Sequence, residues 1–322
     1  LCFLFHMAMF PLRNPPKERA GAPDRLAPEE RTLRSGRGMR PKAVITGKTV
    51  FVPLIGHPVE QVKSPGPMNT WFADHGVDAV IVAMDIRPER VAAFFDVMKV
   101  TENCVGCSVT VPHKQAAFLA SDEVTDRARR AKAVNTIRRS SSGRLYGDMT
   151  DGQAMVAALQ RRGVEVRGAT VLLVGAGAAG TAIAFELAEK GAAGLVIIER
   201  DPMRQRALMN ELKTYYPLVD VAGALERGKP VDIAINASTM GMHPSDPVPY
   251  PLEALAGARI VADAVTKVDV TPWLREAERR GLAIQTGEEM ALAQLPIQLS
   301  YFRFMDPGSQ LPASAAQKGA GA

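Results

Sequence analysis

The 322-residue chain is poor in cysteine, and it contains no apolar run long enough to cross a bilayer. Three cysteines cannot make a disulfide scaffold of a chain this size, which points to a reducing compartment. Cys104 and Cys107 form a C-x-x-C, but no second pair and no nearby histidine completes a zinc set. Lying in CVGCSVTV, they read as small core residues of a strand, and no metal site is expected. The apolar opening LCFLFHMAMF has neither the basic leader nor the small-residue cleavage site of a signal peptide. No solenoid-type repeat is present. These absences together describe a cytoplasmic protein without a membrane partner.

Excess charge is also missing where it would matter. The net charge is +5, but residues 1–48 hold 10 Lys/Arg against 4 Asp/Glu, a net of +6 that leaves −1 for the rest. An electrostatic case for nucleic-acid binding therefore fails. Residues 1–48, rich in Pro, Arg and Gly, read as a disordered extension, with Met7 and Met39 as alternative starts. Residues 307–322 read as a disordered tail. The stretch between them is long enough for two cores.

What is present centres on Thr170 to Gly180, TVLLVGAGAAG. Four apolar residues read as a buried strand. Gly175, Gly177 and Gly180 follow at G-x-G-x-x-G spacing, and the run TAIAFELAEK then reads as a helix that stops at Gly191. Between a strand and a helix this spacing is a dinucleotide fingerprint. The first glycine permits the turn, the second admits a pyrophosphate, and the third lets the helix pack on the strand. The backbone of Gly175, Ala176, Gly177, Ala178, Ala179 and Gly180, facing the phosphates at a helix N-terminus, is the expected cofactor loop.

Roughly 20 positions on, the second strand of such a fold ends in the residue that chooses between NAD and NADP. Here VIIERD places Glu199 at the strand end. A carboxylate accepts hydrogen bonds from both ribose hydroxyls and repels a 2′-phosphate, whereas the adjacent Arg200 pulls the other way. Position favours Glu199, so the expected cofactor is NAD, with NADP as the competing choice.

Strands alternate with helices from Lys48 onward. They predict an α/β domain with a mostly parallel sheet over 49–150 and a doubly wound Rossmann domain of six strands over 151–287. A final helix over 288–306 comes after the sheet is complete and is expected to return to the first domain.

Several stretches together resemble the shikimate dehydrogenase family: VPLIGHPVEQVKSP, GCSVTVPHK, AVNTI, GDMTDG, VGAGAAG, INASTMGM and GEEMALAQ, in order from about Val50 to Phe304. The resemblance implies reversible hydride transfer between a nicotinamide cofactor and a hydroxylated cyclohexene or cyclohexane carboxylate of the shikimate/3-dehydroshikimate type. It implies Lys114 and Asp151 as the proton-transfer pair. Oxidising a secondary alcohol needs a group to take the hydroxyl proton, and a lysine held by an aspartate in a closed cleft suits that task. Asp151 also stands where a helix N-cap is expected. Ser64, Thr110, Asn135 and Gln294 are implied as contacts to the substrate carboxylate and ring hydroxyls, and Met242 is implied to lie beside the nicotinamide. The oligomer is expected to be a monomer or homodimer.

The chain departs from the family pattern at four places. Val62 stands where a second serine is usual, Ser108 where an asparagine precedes VTVP, Met149 where an asparagine precedes TD, and Thr266 where a tyrosine is usual. Each change removes or shortens a polar contact, so Val62, Met149 and Thr266 are expected to reshape the substrate pocket. Quinate or an aminated analogue is the alternative substrate class. A catalytically silent NAD-binding paralogue is the non-enzymatic alternative.

Overall fold

The computed structural model describes residues 45–306, apart from 244 and 256. The disorder expected for 1–48 falls, up to residue 44, outside the described residues, and that expected for 307–322 falls wholly outside them. Residues 45–306 belong to one compact unit that holds two six-stranded sheets.

In the first sheet the strands are β1 Val50–Gly56, β2 Ala79–Asp85, β3 Gly106–Val109, β4 Glu123–Val124, β5 Thr136–Arg139 and β6 Leu145–Asp148. They are ordered β2-β1-β3-β5-β6-β4. The β1–β2, β1–β3 and β4–β6 pairings are parallel, whereas β3–β5 and β5–β6 are antiparallel. Only the outer part of the sheet thus has the parallel character expected of it. The hairpin at Ser-Ser-Ser-Gly reverses the chain through its centre.

Helices α1 Pro65–Asp74, α2 Val91–Val100, α3 Lys114–Ala120 and α4 Asp126–Ala131 cover this sheet. Period-two alternation along β1 assigns its faces. Val52 and Leu54 pack with Met68, Trp71 and Phe72 of α1, while Ile55 packs with Phe95 and Met98 of α2 and Ala117 of α3.

The second sheet is parallel throughout. It is built from β7 Thr170–Val174, β8 Gly194–Ile198, β9 Asp220–Ala222, β10 Ile233–Asn236, β11 Ile260–Asp263 and β12 Ala283–Gln285. Its order, β12-β11-β10-β7-β8-β9, is that of a doubly wound nucleotide fold, with the reversal beside β7. Val171 and Leu173 face one core and Leu172 and Val174 the other, which is why TVLLV is apolar without alternation. Helices α5 Asp151–Arg161, α6 Ala178–Glu189, α7 Pro202–Tyr215 and α8 Pro272–Arg279 supply the two layers.

The last helix, α9 Gly287–Tyr301, starts from a capping box between Thr286 and Glu289. It returns to the first sheet as expected. Leu295, Leu299 and Phe302 join the α1 core, while Met290 and Ala293 pack with the nucleotide-sheet core. Helix α9, and α6 through Ala182, thereby bridge the two sheets, and the cleft between the sheets opens where α5, α6 and α9 begin.

Candidate active site

A cavity of about 210 Å³ occupies this cleft, with walls from both sheets. Its chemistry is built from helix starts. Lys114 is the first residue of α3, directly after the turn that ends β3, where buried His113 places Nε2 2.6 Å from the Ile86 carbonyl oxygen. Asp151 is the first residue of α5, where the helix N-terminus favours a carboxylate. Thr150, not Asp151, is the N-cap, so the aspartate side chain is free to face the cleft.

Lys114 Nζ lies 2.6 Å from Asp151 Oδ2, and the two side chains are only 13% and 7% exposed. The other oxygen, Oδ1, accepts Asn135 Nδ2 at 2.6 Å and Gln294 Nε2 at 3.0 Å. Gln294 also donates to Thr150 Oγ1. Asn135 Oδ1 in turn accepts from Thr150 N, Thr150 Oγ1 and Thr136 Oγ1. Separate elements from both ends of the chain therefore meet on one carboxylate. Shared charge-assisted hydrogen bonds of this kind fix its orientation.

Ser64, Thr110, Val62, Thr266 and Met242 all line the cleft. Ser64 is the N-cap of α1 yet makes no side-chain capping bond, which leaves its hydroxyl for a ligand. Asn135 and Gln294 reach the cleft as well, but their amides are committed to Asp151 rather than standing free. Met149 does not belong to the pocket. It is 1% exposed and packs beneath the first sheet with Ile137, Leu145 and Ala182 of α6, because the residue after β6 turns its side chain into the core. The expectation that it reshapes the substrate wall is corrected accordingly.

The glycine loop closes the other side. Gly175 has φ +101°, a backbone only glycine holds without strain, and a Cβ on Gly180 would collide with the Gly175 carbonyl oxygen. Gly177 is different: its φ is −75°, and a Cβ there would meet nothing within 4 Å. The protein itself does not need a glycine at 177, so the empty volume suits a pyrophosphate lying against the start of α6. Ala179 lines the cleft, whereas Ala178 packs toward the Met149 core.

Glu199 follows β8 directly. Its Oε2 accepts Ala176 N–H at 2.7 Å and its Oε1 accepts Asp201 N–H at 3.0 Å. The carboxylate is thus tied to the glycine loop itself, while Arg200 is exposed beside it. These residues fit a dinucleotide.

Three features of the site escaped the sequence reading. Lys63 bonds Asp269 across the cleft mouth at 3.1 Å, joining the segment before α1 to the loop after β11. Asp263, at the end of β11, accepts from Asn236 Nδ2, Val265 N and Thr271 Oγ1, and burial pushes its carboxyl from 3.8 up to about 6. Gln298, 2% exposed, donates to Ser108 and Thr136. Its spacing of four from Gln294 on α9 was the available signal.

Cys104 and Cys107 are free, buried core residues, and burial raises the Cys104 thiol to about 11. Among the described residues no group of acidic, histidine or cysteine side chains is placed to hold a metal ion, and no helix is long and apolar enough to cross a membrane.

The family model described as "Shikimate dehydrogenase substrate binding domain" matches residues 54–137, and "Shikimate / quinate 5-dehydrogenase" matches 157–245. A relative from Rubrobacter xylanophilus, named "Shikimate dehydrogenase (NADP(+))", is 37% identical over 78% of this chain and 89% of its own. The shikimate 5-dehydrogenase of Thermus thermophilus, solved with NADP(H) and shikimate, is 29% identical with a TM-score of 0.72, covering 84% of this chain and 98% of that one. The 5-ketofructose reductase of Gluconobacter sp. strain CHM43 is 25% identical with a TM-score of 0.72, covering 84% and 97%. On this footing the chain belongs to the shikimate dehydrogenase family of nicotinamide-dependent oxidoreductases.

Proposed function

We propose that this protein transfers hydride reversibly between NAD and a hydroxylated cyclohexene carboxylate of the shikimate/3-dehydroshikimate type, with Lys114 and Asp151 as the proton-transfer pair. The observation that carries this reading is the 2.6 Å Lys114–Asp151 contact at the base of a cleft bounded by a dinucleotide loop. When bound, the cofactor supplies the hydride acceptor or donor. Everything else falls to the chain.

The α6 N-terminus and Gly177 would hold the phosphates. Glu199 would accept from the ribose hydroxyls, and Met242, which lines the cleft, would lie on the nicotinamide side. Ser64 and Thr110 orient the ring acid. Lys114 takes the hydroxyl proton during oxidation and returns it during reduction, while Asp151 aims its amine and offsets its charge. Asn135 and Gln294 hold Asp151 still. Because their amides already bond that carboxylate, their contribution to the substrate is mainly through it.

The preference for NAD rests on Glu199, whose carboxylate would repel a 2′-phosphate. The relative from Rubrobacter xylanophilus carries NADP(+) in its name, so the cofactor comparison is a direct test of this reading. A cytoplasmic setting suits the buried free thiols of Cys104 and Cys107, and a monomer or homodimer suits a cleft completed within one chain.

A second reading has a specific support. Val62 and Thr266 line the cleft where the family usually offers a serine and a tyrosine, so quinate or an aminated ring acid is the competing substrate. The similarity to a chain named 5-ketofructose reductase shows that neighbouring members carry other names. A silent paralogue is disfavoured, because both members of the proton-transfer pair are present and in contact.

The deciding experiment is a screen of cyclitol and cyclohexene acids against NAD and NADP, followed by cofactor absorbance. A kcat/KM for shikimate of about 10⁴ M⁻¹s⁻¹ or more supports the first reading, and a much lower value with turnover of quinate or an amino analogue supports the second. Lys114→Ala should lose on the order of 10³-fold in turnover while still binding NAD. Retained turnover would remove Lys114 from the mechanism.

A further inference from the structure

We infer that Asp263 is a positioning residue for cofactor binding, whose buried carboxylate ties together the two loops, 237–242 and 264–271, that form the nucleotide-sheet wall of the cleft. The inference rests on the dinucleotide reading above and deepens it.

The first loop follows β10 and the second follows β11, its parallel neighbour. Ala237, Ser238, Thr239 and Met242 of the first, with Ala264 and Thr266 of the second, line the cavity. Neither loop has helix or strand structure of its own, so its shape depends on the bonds made at its ends.

Asp263 makes those bonds. Its side chain is fully buried; Oδ1 accepts Val265 N at 2.9 Å and Asn236 Nδ2 at 3.1 Å, while Oδ2 accepts Thr271 Oγ1 at 2.9 Å. Val265 and Thr271 bracket the second loop, so both of its ends are held by one side chain. Asn236 carries the tie to the first loop. Its Nδ2 also donates to the Met240 carbonyl oxygen at 2.8 Å, and its Oδ1 accepts Ser238 N at 3.1 Å and Ser238 Oγ at 2.6 Å. The tied loops in turn touch the rest of the site: a Cβ on Gly175 would strike Ser238 N, and one on Gly287 would strike the Val265 carbonyl oxygen. Moving either loop would therefore disturb the glycine loop or the start of α9.

An uncharged side chain could make similar ties, so the carboxylate adds something else. Its bonding partners are all neutral, and β10 and β12 present only Asn236 and Gln285 at this end. The charged groups on the surrounding loops are engaged elsewhere: His243 with Lys267, Asp246 with the amides of Gly241 and His243, and Asp269 with Lys63. On the adjoining helices, Glu276 of α8 pairs with Arg280 and Glu289 of α9 with Arg162, and Arg275 is exposed. Burial outweighs the donors and raises the Asp263 carboxyl from 3.8 to about 6. Opening the loops would admit water and return it toward the ordinary value. The tied state thus holds the proton more strongly than the open one, so the ties are firmest below about pH 6 and slacken as pH rises through it.

The test follows NAD affinity, and hydrogen exchange over 237–242 and 264–271, in the wild type and three variants. Asp263→Asn keeps the shape and the ties without the charge. Its affinity for NAD should stay level between about pH 5 and 8, while that of the wild type weakens about 3- to 30-fold over the same range. Asp263→Ala releases both loops, so it should raise the Kd for NAD about 10-fold and speed exchange in both segments, and asparagine at the same position should restore both readouts. Thr271→Val removes one donor to the charged form and should move the midpoint of the wild-type pH transition upward, a readout that stands if Asp263→Ala fails to fold. The same pH dependence in wild type and Asp263→Asn, or an unmoved midpoint in Thr271→Val, overturns the inference. A wild type that binds no NAD counts instead against the cofactor reading, and the exchange comparison still decides the role of Asp263.

Discussion

Asp263 and Glu199 are both carboxylates at strand ends of the nucleotide sheet, the first buried among donors and the second tied to the glycine loop. Asp263 is buried, and desolvation holds its carboxyl at about 6 against the pull of three side-chain and backbone donors. The folded state therefore binds its proton more tightly than the unfolded chain does. Its contribution to stability is full below about pH 4 and is lost as pH rises through about 6, a swing on the order of 3 kcal/mol. In urea titrations Asp263→Asn should flatten the fall in stability between about pH 4 and 7, and identical slopes for both proteins would contradict this.

Glu199 accepts two backbone N–H groups, one of them from the glycine loop. Glu199→Ala should weaken NAD binding about 10-fold and shift the NAD/NADP ratio of kcat/KM toward NADP. A ratio that does not move would assign the choice of cofactor to another residue.

At the scale of elements, the active site depends on how closely α5 approaches α6. A Cβ added at Gly152 would run into the Ala182 carbonyl oxygen and Glu186, neither of which can move without shifting α6. Gly152→Ala should therefore cost about 1–3 kcal/mol and lower kcat as well, because Asp151 is the preceding residue on the displaced helix. A stable, fully active variant would show that the two helices separate freely.

The end of β6 is tied just as firmly. Asp148 is 1% exposed, receives Arg127 Nε at 2.7 Å and Nη2 at 2.9 Å, and accepts Thr125 Oγ1 as well. Arg127 is 39% exposed and can rehydrate, so the loss falls on the bonds that Asp148 accepts, and Asp148→Ala should lower stability by about 1–3 kcal/mol in chemical denaturation. The exposed Lys63–Asp269 pair across the cleft mouth is worth much less, at most about 1 kcal/mol.

Across the whole molecule the two sheets share side chains as well as a cleft. Ala182 of α6 sits in the core under the first sheet, and Met290 and Ala293 of α9 sit in the core of the second. Arg130 of α4 donates to Tyr216 and stacks over Phe185 and Tyr215. Ligand bound in the cleft should accordingly stabilise the protein as one unit. NAD at about 100 times its Kd should add about 2.7 kcal/mol, read as a single transition moved to higher Tm. Two transitions, only one of them shifted by NAD, would show that the sheets unfold separately.

The sequence by itself determined the strand–glycine–helix unit and the six-strand pattern built around it. These are local or periodic features, written in spacing and in which residues tolerate a given backbone. Tertiary structure decided which side chains meet. Met149 reads like a pocket residue in GDMTDG, but the turn after β6 sends it into the core, and no local pattern records that choice. Gln298 reads like one more helix residue until α9 folds back against Ser108, 190 residues away. The burial that raises Asp263, and the convergence of Lys114, Asn135 and Gln294 on Asp151, come from elements far apart in the chain. Such contacts depend on how helices are placed around two sheets, and only the packed molecule sets that placement.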